Sequence, residues 1–312
     1  MNIWQKINKP AVGLSPMDGV TDYSFRQIQI SIAKPDIMFT EFISAEGFIR
    51  QPKKFERNLF FKGNERPLIV QIFGYTPEAF YETILKISEL DFDGIDINMG
   101  CPAKSVLEKG GGGALIENYQ LSAEILEKSI KAIDKSGKKI PLSVKTRIGQ
   151  KKIVTKSWVK FLSEYPLSEI TIHGRLLKQG NNGPVNWEEV RKASDICHSK
   201  DIVCFGNGGI KSLSEAKELS NKYNLDGVLI GQAACGNPWF FKNKKPTKDQ
   251  IIQTILDHAK LVSEFYEEKG FVTVLKHFSW YPKGFKNSKK LKIELLKTRS
   301  FSEVQRVIAN FS

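Results

Sequence analysis

From residue 11 to residue 230 the chain repeats one motif: a short apolar segment, cut off by glycine, proline or a polar side chain, followed by a stretch with helical spacing. The apolar segments fall at 11–15, 37–42, 68–73, 94–99, 142–146, 169–172, 202–205 and 227–230. Helical spacing follows at 23–32, 77–90, 122–136, 158–163 and 213–222. Parallel strands need a crossover connection, usually a helix, and this alternation supplies one after most strands. Eight such units over roughly 250 residues describe a (β/α)8 barrel, an α/β fold of TIM type. The barrel is expected to occupy residues 1–243, and a small C-terminal helical domain residues 244–312.

A barrel of this kind gathers the residues after its strands at one mouth. Here those residues are Pro16, Met17 and Asp18, then Gln71, Asn98, Cys101, Lys145 and His173, then Asn207, Gly208, Gly209, Gly231 and Gln232. The stretch 93–116 stands out among them. Its apolar run ends in Gly100-Cys101-Pro102, which cannot continue a strand, so a thiol sits just past a strand end. A buried hydrophobe is the plain alternative for a single cysteine. Four consecutive glycines, Gly110 to Gly113, follow, and their entropic cost points to something flat or anionic approaching the backbone. Phosphate-binding loops after strands seven and eight are a recurrent barrel feature, and Gly206-Asn207-Gly208-Gly209 and Gly231-Gln232 suit that use. Lys145 and Gln71 could then meet the electron-rich edge of a flavin, which would make the phosphate that of FMN.

The 47 Lys and Arg against 34 Asp and Glu leave a net charge of +13, which favours a polyanionic partner, a solvated lysine-rich surface being the alternative. The four cysteines form no Cys-x-x-Cys pair, and neither a structural metal nor a disulfide framework is expected. The first residues lack the apolar core of a signal peptide and no apolar run reaches membrane-spanning length, so a cytoplasmic protein without membrane contact is expected. Beyond residue 243 a polar linker leads into helical spacing at Ile251, Ile255, His258, Leu261, Val262 and Phe265. The stretch 276–290 interleaves lysines with aromatics, which suits stacking on RNA bases and equally suits a bundle with buried rings and solvated lysines.

Taken together, Leu14 to Asp22, Asn98 to Pro102, Val144 to Arg147, Thr171 to Arg175, Gly206 to Ile210 and Gly231 to Trp239 resemble, in order, the motifs of the tRNA-dihydrouridine synthase family. The resemblance extends over essentially the whole chain, tail included. It implies an FMN-dependent enzyme that uses NADPH to reduce the C5–C6 double bond of particular uridines in tRNA. By the same analogy Cys101 protonates C5 while hydride reaches C6, and Asn98 holds the uracil. Pro16, Met17, Asp18, Gln71, Lys145 and His173 would contact the flavin ring, and Asn207, Gly208, Gly209, Gly231 and Gln232 its phosphate and ribityl chain. Arg147 and Arg175 are candidates for RNA contacts, or for ordering the loops beside them. Two positions depart from the family pattern: Gln232 stands where arginine is usual, and Leu176-Leu177 where Thr-Arg is frequent, with Lys178 next to it. A flavin barrel acting on a small dihydropyrimidine, and a non-catalytic tRNA-binding protein, are the competing functions.

Overall fold

The computed structural model describes residues 2–311, the side chains of 267–269 excepted. Eight parallel strands close a ring: β1 Ala11–Leu14, β2 Met38–Phe39, β3 Leu68–Phe73, β4 Gly94–Met99, β5 Leu142–Arg147, β6 Glu169–His173, β7 Val203–Asn207 and β8 Gly227–Ile230. Closure comes from β8 pairing with β1, Ala11 opposite Gly227 through Leu14 opposite Ile230. The expected (β/α)8 barrel is therefore present.

The second strand departs from the expected 37–42. It pairs Met38 with Leu68 and Phe39 with Ile69, but the next pairing, in the two-residue strand Ile43–Ser44, sets Ile43 opposite Ile72. The chain has gained one residue, which is the signature of a bulge. The Thr40 hydroxyl fills the gap, accepting from the Gln71 amide at 3.2 Å while donating to the Glu41 carbonyl at 2.7 Å. A helix absent from the sequence reading, Trp187–His198, lies between β6 and β7, started by the Asn186 side chain, which accepts from the Glu189 amide.

The barrel interior is layered by chemistry. At its lower end Trp4, Phe39, Ile69, Val203, Phe205 and Leu229 form a closed apolar cluster. Trp4 belongs to a four-residue helix ahead of β1 and meets Phe205 edge-on at 5.6 Å between ring centroids. Above this plug, register brings Gln71, Asp96, Ser143 and Glu169 level on adjacent strands. The next pairs upward are Asn98 with Lys145 and Arg147 with His173. The sheet thus passes from apolar to polar along its own axis.

The tail forms a second core around Ile251, Ile255, Val262, Phe278, Tyr281, Leu291 and Val304, with Trp239 included. Its long helix Lys248–Gly270 packs on the first barrel helix, Tyr23–Ile32. Of the interleaved stretch, His277, Phe278 and Tyr281 are buried, while Lys283, Lys286, Lys289 and Lys290 are exposed. The rings serve the bundle and the lysines face solvent. Among the described residues no helix is long and apolar enough to cross a membrane.

Trp4 is fully buried and closes the barrel floor. Trp4→Ala is expected to lower unfolding stability by about 3–5 kcal/mol in urea titrations; a loss under about 1 kcal/mol would show that the floor is closed by other contacts.

Candidate active site at the barrel mouth

The polar layer starts from a buried carboxylate. Asp96 receives the Gln71 side-chain amide at 2.6 Å and the Ser143 hydroxyl at 2.7 Å. Gln71 in turn accepts the amide of Asn98 at 2.9 Å, and Asn98 accepts the Gly100 N–H at 3.0 Å. A single chain of hydrogen bonds therefore runs from the barrel interior to the turn that carries Cys101. Burial raises the Asp96 carboxyl to about 6, against the two hydrogen bonds and the charge of Lys145. Glu169, with one oxygen taken by the Thr171 hydroxyl and the other unpartnered, is pushed well above its ordinary carboxyl value by burial and by Asp96.

Above this layer opens a cavity of about 570 Å³. Asn98, Lys145 and Asn207 line it together with Cys101, Pro102, Pro16 and Met17, and Arg147 and Arg175 line it beside His173. Gly208, Gly209, Gly231 and Gln232 complete it from the last two loops. Two residues of the expected set lie off the wall. Gln71 is fully buried beneath Asn98, and Asp18 is exposed on the turn after β1.

Each wall residue is held by a neighbour. Lys145 donates to Asn207 Oδ1 at 3.1 Å, and Asn207 donates onward to the Leu229 carbonyl at 2.7 Å. Burial, followed by the charge of Arg147, lowers the Lys145 ammonium to about 8. Arg175 Nη1 lies 3.2 Å from His173 Nε2; a guanidinium only donates, so His173 is the acceptor there and carries its proton on Nδ1. Burial and the three cations around His173 hold it neutral in agreement. Arg147 bonds the carbonyls of Gly100 and Gly180, and Arg175 that of Gly183. Both arginines thus order loops and also face the cavity.

The Cys101 turn is clamped from three directions. Arg147 holds Gly100 from β5, the Gly113 N–H donates to the Cys101 carbonyl at 3.1 Å, and Gly112 lies so close that a Cβ there would meet Cys101 Cβ at 3.0 Å. A Cβ on Gly111 would lie 2.6 Å from the Gly74 carbonyl, and one on Gly113 would strike Leu177. Gly111, Gly112 and Gly113 are therefore kept small by Gly74, Cys101 and Leu177, and none of the four glycines lines the cavity. Leu177 is the buried partner of that run. Burial raises the Cys101 thiol above its ordinary value, with the Ala103 N–H opposing, so the group is a thiol at neutral pH.

A family model for dihydrouridine synthase (Dus) matches residues 13–310. The chain belongs to the dihydrouridine synthase family. A probable tRNA-dihydrouridine synthase of Staphylococcus aureus (strain COL) is 30% identical over 319 residues, covering 99% of this chain and 95% of that protein. A probable tRNA-dihydrouridine synthase 2 of Bacillus subtilis (strain 168) is 29% identical over 320 residues, covering 99% and 96%. As a dihydrouridine synthase the chain is an enzyme, a flavin-dependent oxidoreductase. Sequence reading missed Asp96 and Glu169; the signal was present, since each is a lone acid in a strand of a barrel whose interior positions alternate.

Lys145 is held charged at a cost, because its ammonium titrates lower folded, near 8, than unfolded, at 10.5. The unfolded chain binds the extra proton between those values, so this group's destabilisation is complete below about pH 8 and is relieved as pH rises towards 10.5. Lys145→Met is expected to be more stable than the parent at pH 7, by roughly 2–3 kcal/mol, with the advantage shrinking by pH 10. A parent protein already the more stable at pH 7 would contradict the strained charge.

Proposed function

We propose that this enzyme reduces the C5–C6 double bond of specific uridines in tRNA, with FMN as its cofactor and NADPH as the reductant. The observation that carries the reading is a protonated thiol, Cys101, clamped on the wall of a cavity that Lys145 and Asn98 also line. The residues fit FMN. The volume of about 570 Å³ lies in the range of cofactor pockets. A Cβ on Gly231 would meet nothing nearer than Met17 Sδ at 3.7 Å, so the backbone there lies bare to the cavity. Gly208 and Gly209, at φ of +126° and +67°, line the cavity with backbone that no side chain covers from their own positions. Lys145, Arg147, Arg175 and Lys211 supply positive charge around them.

When bound, reduced FMN supplies the hydride that reaches C6 of the uracil. The chain's own residues do the rest. Cys101 gives its Sγ proton to C5, and the resulting thiolate is reprotonated from solvent. Asn98 holds the uracil through its amide, the Gln71 bond beneath fixing which way that amide points. His173, neutral with Nδ1 protonated, offers a hydrogen-bond donor to the ring, and Lys145 a cation. Gly208, Gly209, Gly231 and the backbone of Gln232 receive the phosphate, so that the glutamine in place of arginine leaves the backbone contacts intact. Gln71 and Asp18 act at one remove, Gln71 through Asn98 and Asp18 through its charge on Cys101.

A stacked uridine cannot enter such a cavity and must be flipped out of the folded RNA, at a cost of a few kcal/mol. The net charge of +13 and the exposed lysines 283, 286, 289 and 290 supply phosphate contacts that offset this cost. On this reading residues 1–243 are the catalytic barrel, residues 244–312 a helical tRNA-binding unit, and the site of action the cytoplasm.

Cys101→Ala is expected to lower dihydrouridine formation on unmodified tRNA by at least about a thousandfold, the scale of a lost proton donor, while flavin stays bound. Undiminished turnover by this variant would remove Cys101 from the chemistry.

A further inference from the structure

Away from the cavity, where the tail meets the barrel, three buried side chains point at one another. Asp22, His258 and His277 each bring one ligand atom to within 4.8 Å of the other two. Asp22 starts the first barrel helix, His258 lies in the long tail helix, and His277 in the short helix Leu275–Phe278. None is more than 6% exposed.

The imidazoles are unusually short of partners. Both ring nitrogens of His277 and Nε2 of His258 are buried without a hydrogen bond. Every imidazole carries at least one N–H or lone pair that must be satisfied, and leaving it dry costs energy. The remaining atoms of the cluster, by contrast, are oriented. His258 Nδ1 lies 3.0 Å from the Tyr281 hydroxyl, Asp22 Oδ1 accepts the Phe25 N–H at 2.8 Å, and Asp22 Oδ2 accepts the Tyr266 hydroxyl at 3.1 Å. His258 has one nitrogen tied and the other free, His277 has both free, and Asp22 is oriented through both its oxygens, so two imidazoles converge on a held carboxylate as in a metal site. Stacking of His277 on Phe25, at 5.0 Å between centroids, fixes the second ring.

We propose that Asp22, His258 and His277 bind one first-row divalent cation, of which zinc is the best match, and that this ion fastens the tail to the barrel. Two imidazoles and one carboxylate are a donor set for zinc, iron, nickel or copper rather than for magnesium or calcium. Contraction of the cluster by a fraction of its present span would bring the donors to the metal–nitrogen distance of about 2.0–2.1 Å. The ion's charge is offset by Asp22, favoured by the nearby Glu41 carboxyl, and opposed by Lys276 and Arg26. Arg26 is already neutralised by its buried ion pair with Glu65. Burial shuts substrate out, so the role is structural. The absence of any Cys-x-x-Cys spacing is no guide here, because no cysteine takes part.

The test is elemental analysis and melting of the full-length protein. Protein exposed to Zn2+ and then desalted should retain about one zinc per chain and melt about 5 °C or more above protein stripped by a chelator. His277→Gln and His258→Gln should each bring zinc to background, and Co2+ in place of zinc should give visible ligand-field bands that these variants lose. Should a histidine variant fail to fold, Asp22→Asn, which keeps a capping side chain, carries the same comparison. A desalted parent protein without zinc, and with a melting point indifferent to it, would overturn the proposal. Zinc retained undiminished by the variants would do so as well, by locating the ion elsewhere.

Discussion

The structure turns on a carboxylate buried inside a parallel barrel. Asp96 has no counter-ion in direct contact; it is carried by Gln71 and Ser143, and Lys145 acts on it only through space. Isolated in an apolar core such a group would be prohibitive, and it persists because both its oxygens are hydrogen-bonded. From it the order passes upward through Gln71 to Asn98 and the Gly100 amide, so that the Cys101 turn inherits the rigidity of the barrel. Below it lies the apolar Trp4 cluster. The change from apolar to polar side chains along the inward face of the strands is what lets one end of the barrel be core and the other an open cavity.

Charge at the mouth follows the same logic. Lys145, Arg147 and Arg175 would repel one another in any compact arrangement, and the first two titrate low because they are buried and, secondarily, because of that repulsion. Each is held by a fixed acceptor: Asn207 for Lys145, backbone carbonyls for the arginines. An anion entering the cavity would relieve this repulsion. The thiol beside them stays protonated because burial outweighs the nearby cations.

Much of this was legible in residue order. The eight strands and the cluster of wall residues follow from where apolar runs stop, because a barrel has only one end at which strands can finish. Cys101, Lys145, His173 and the two late glycine loops were found that way and line one cavity. What escaped has physical reasons. The four-glycine run looks like a ligand cradle in sequence, yet Gly111 and Gly113 are filled by Gly74 and Leu177, which are distant in the chain. The bulge at Thr40 depends on one hydroxyl replacing a ladder bond, which no periodicity reveals. The aromatic residues of 276–290 pack on the tail core or, for Trp280, on the barrel core, while the lysines face solvent, a division that composition leaves open. Asp22, His258 and His277 meet only because the tail folds back on the first helix.

The most direct measurement is the visible absorption of the purified protein under anaerobic conditions, first with NADPH and then with tRNA lacking dihydrouridine. The account predicts flavin bands that bleach on NADPH addition and return as tRNA is added, in step with dihydrouridine formed. A protein that stays colourless when supplied with FMN, or whose bleached bands are indifferent to tRNA, would contradict it.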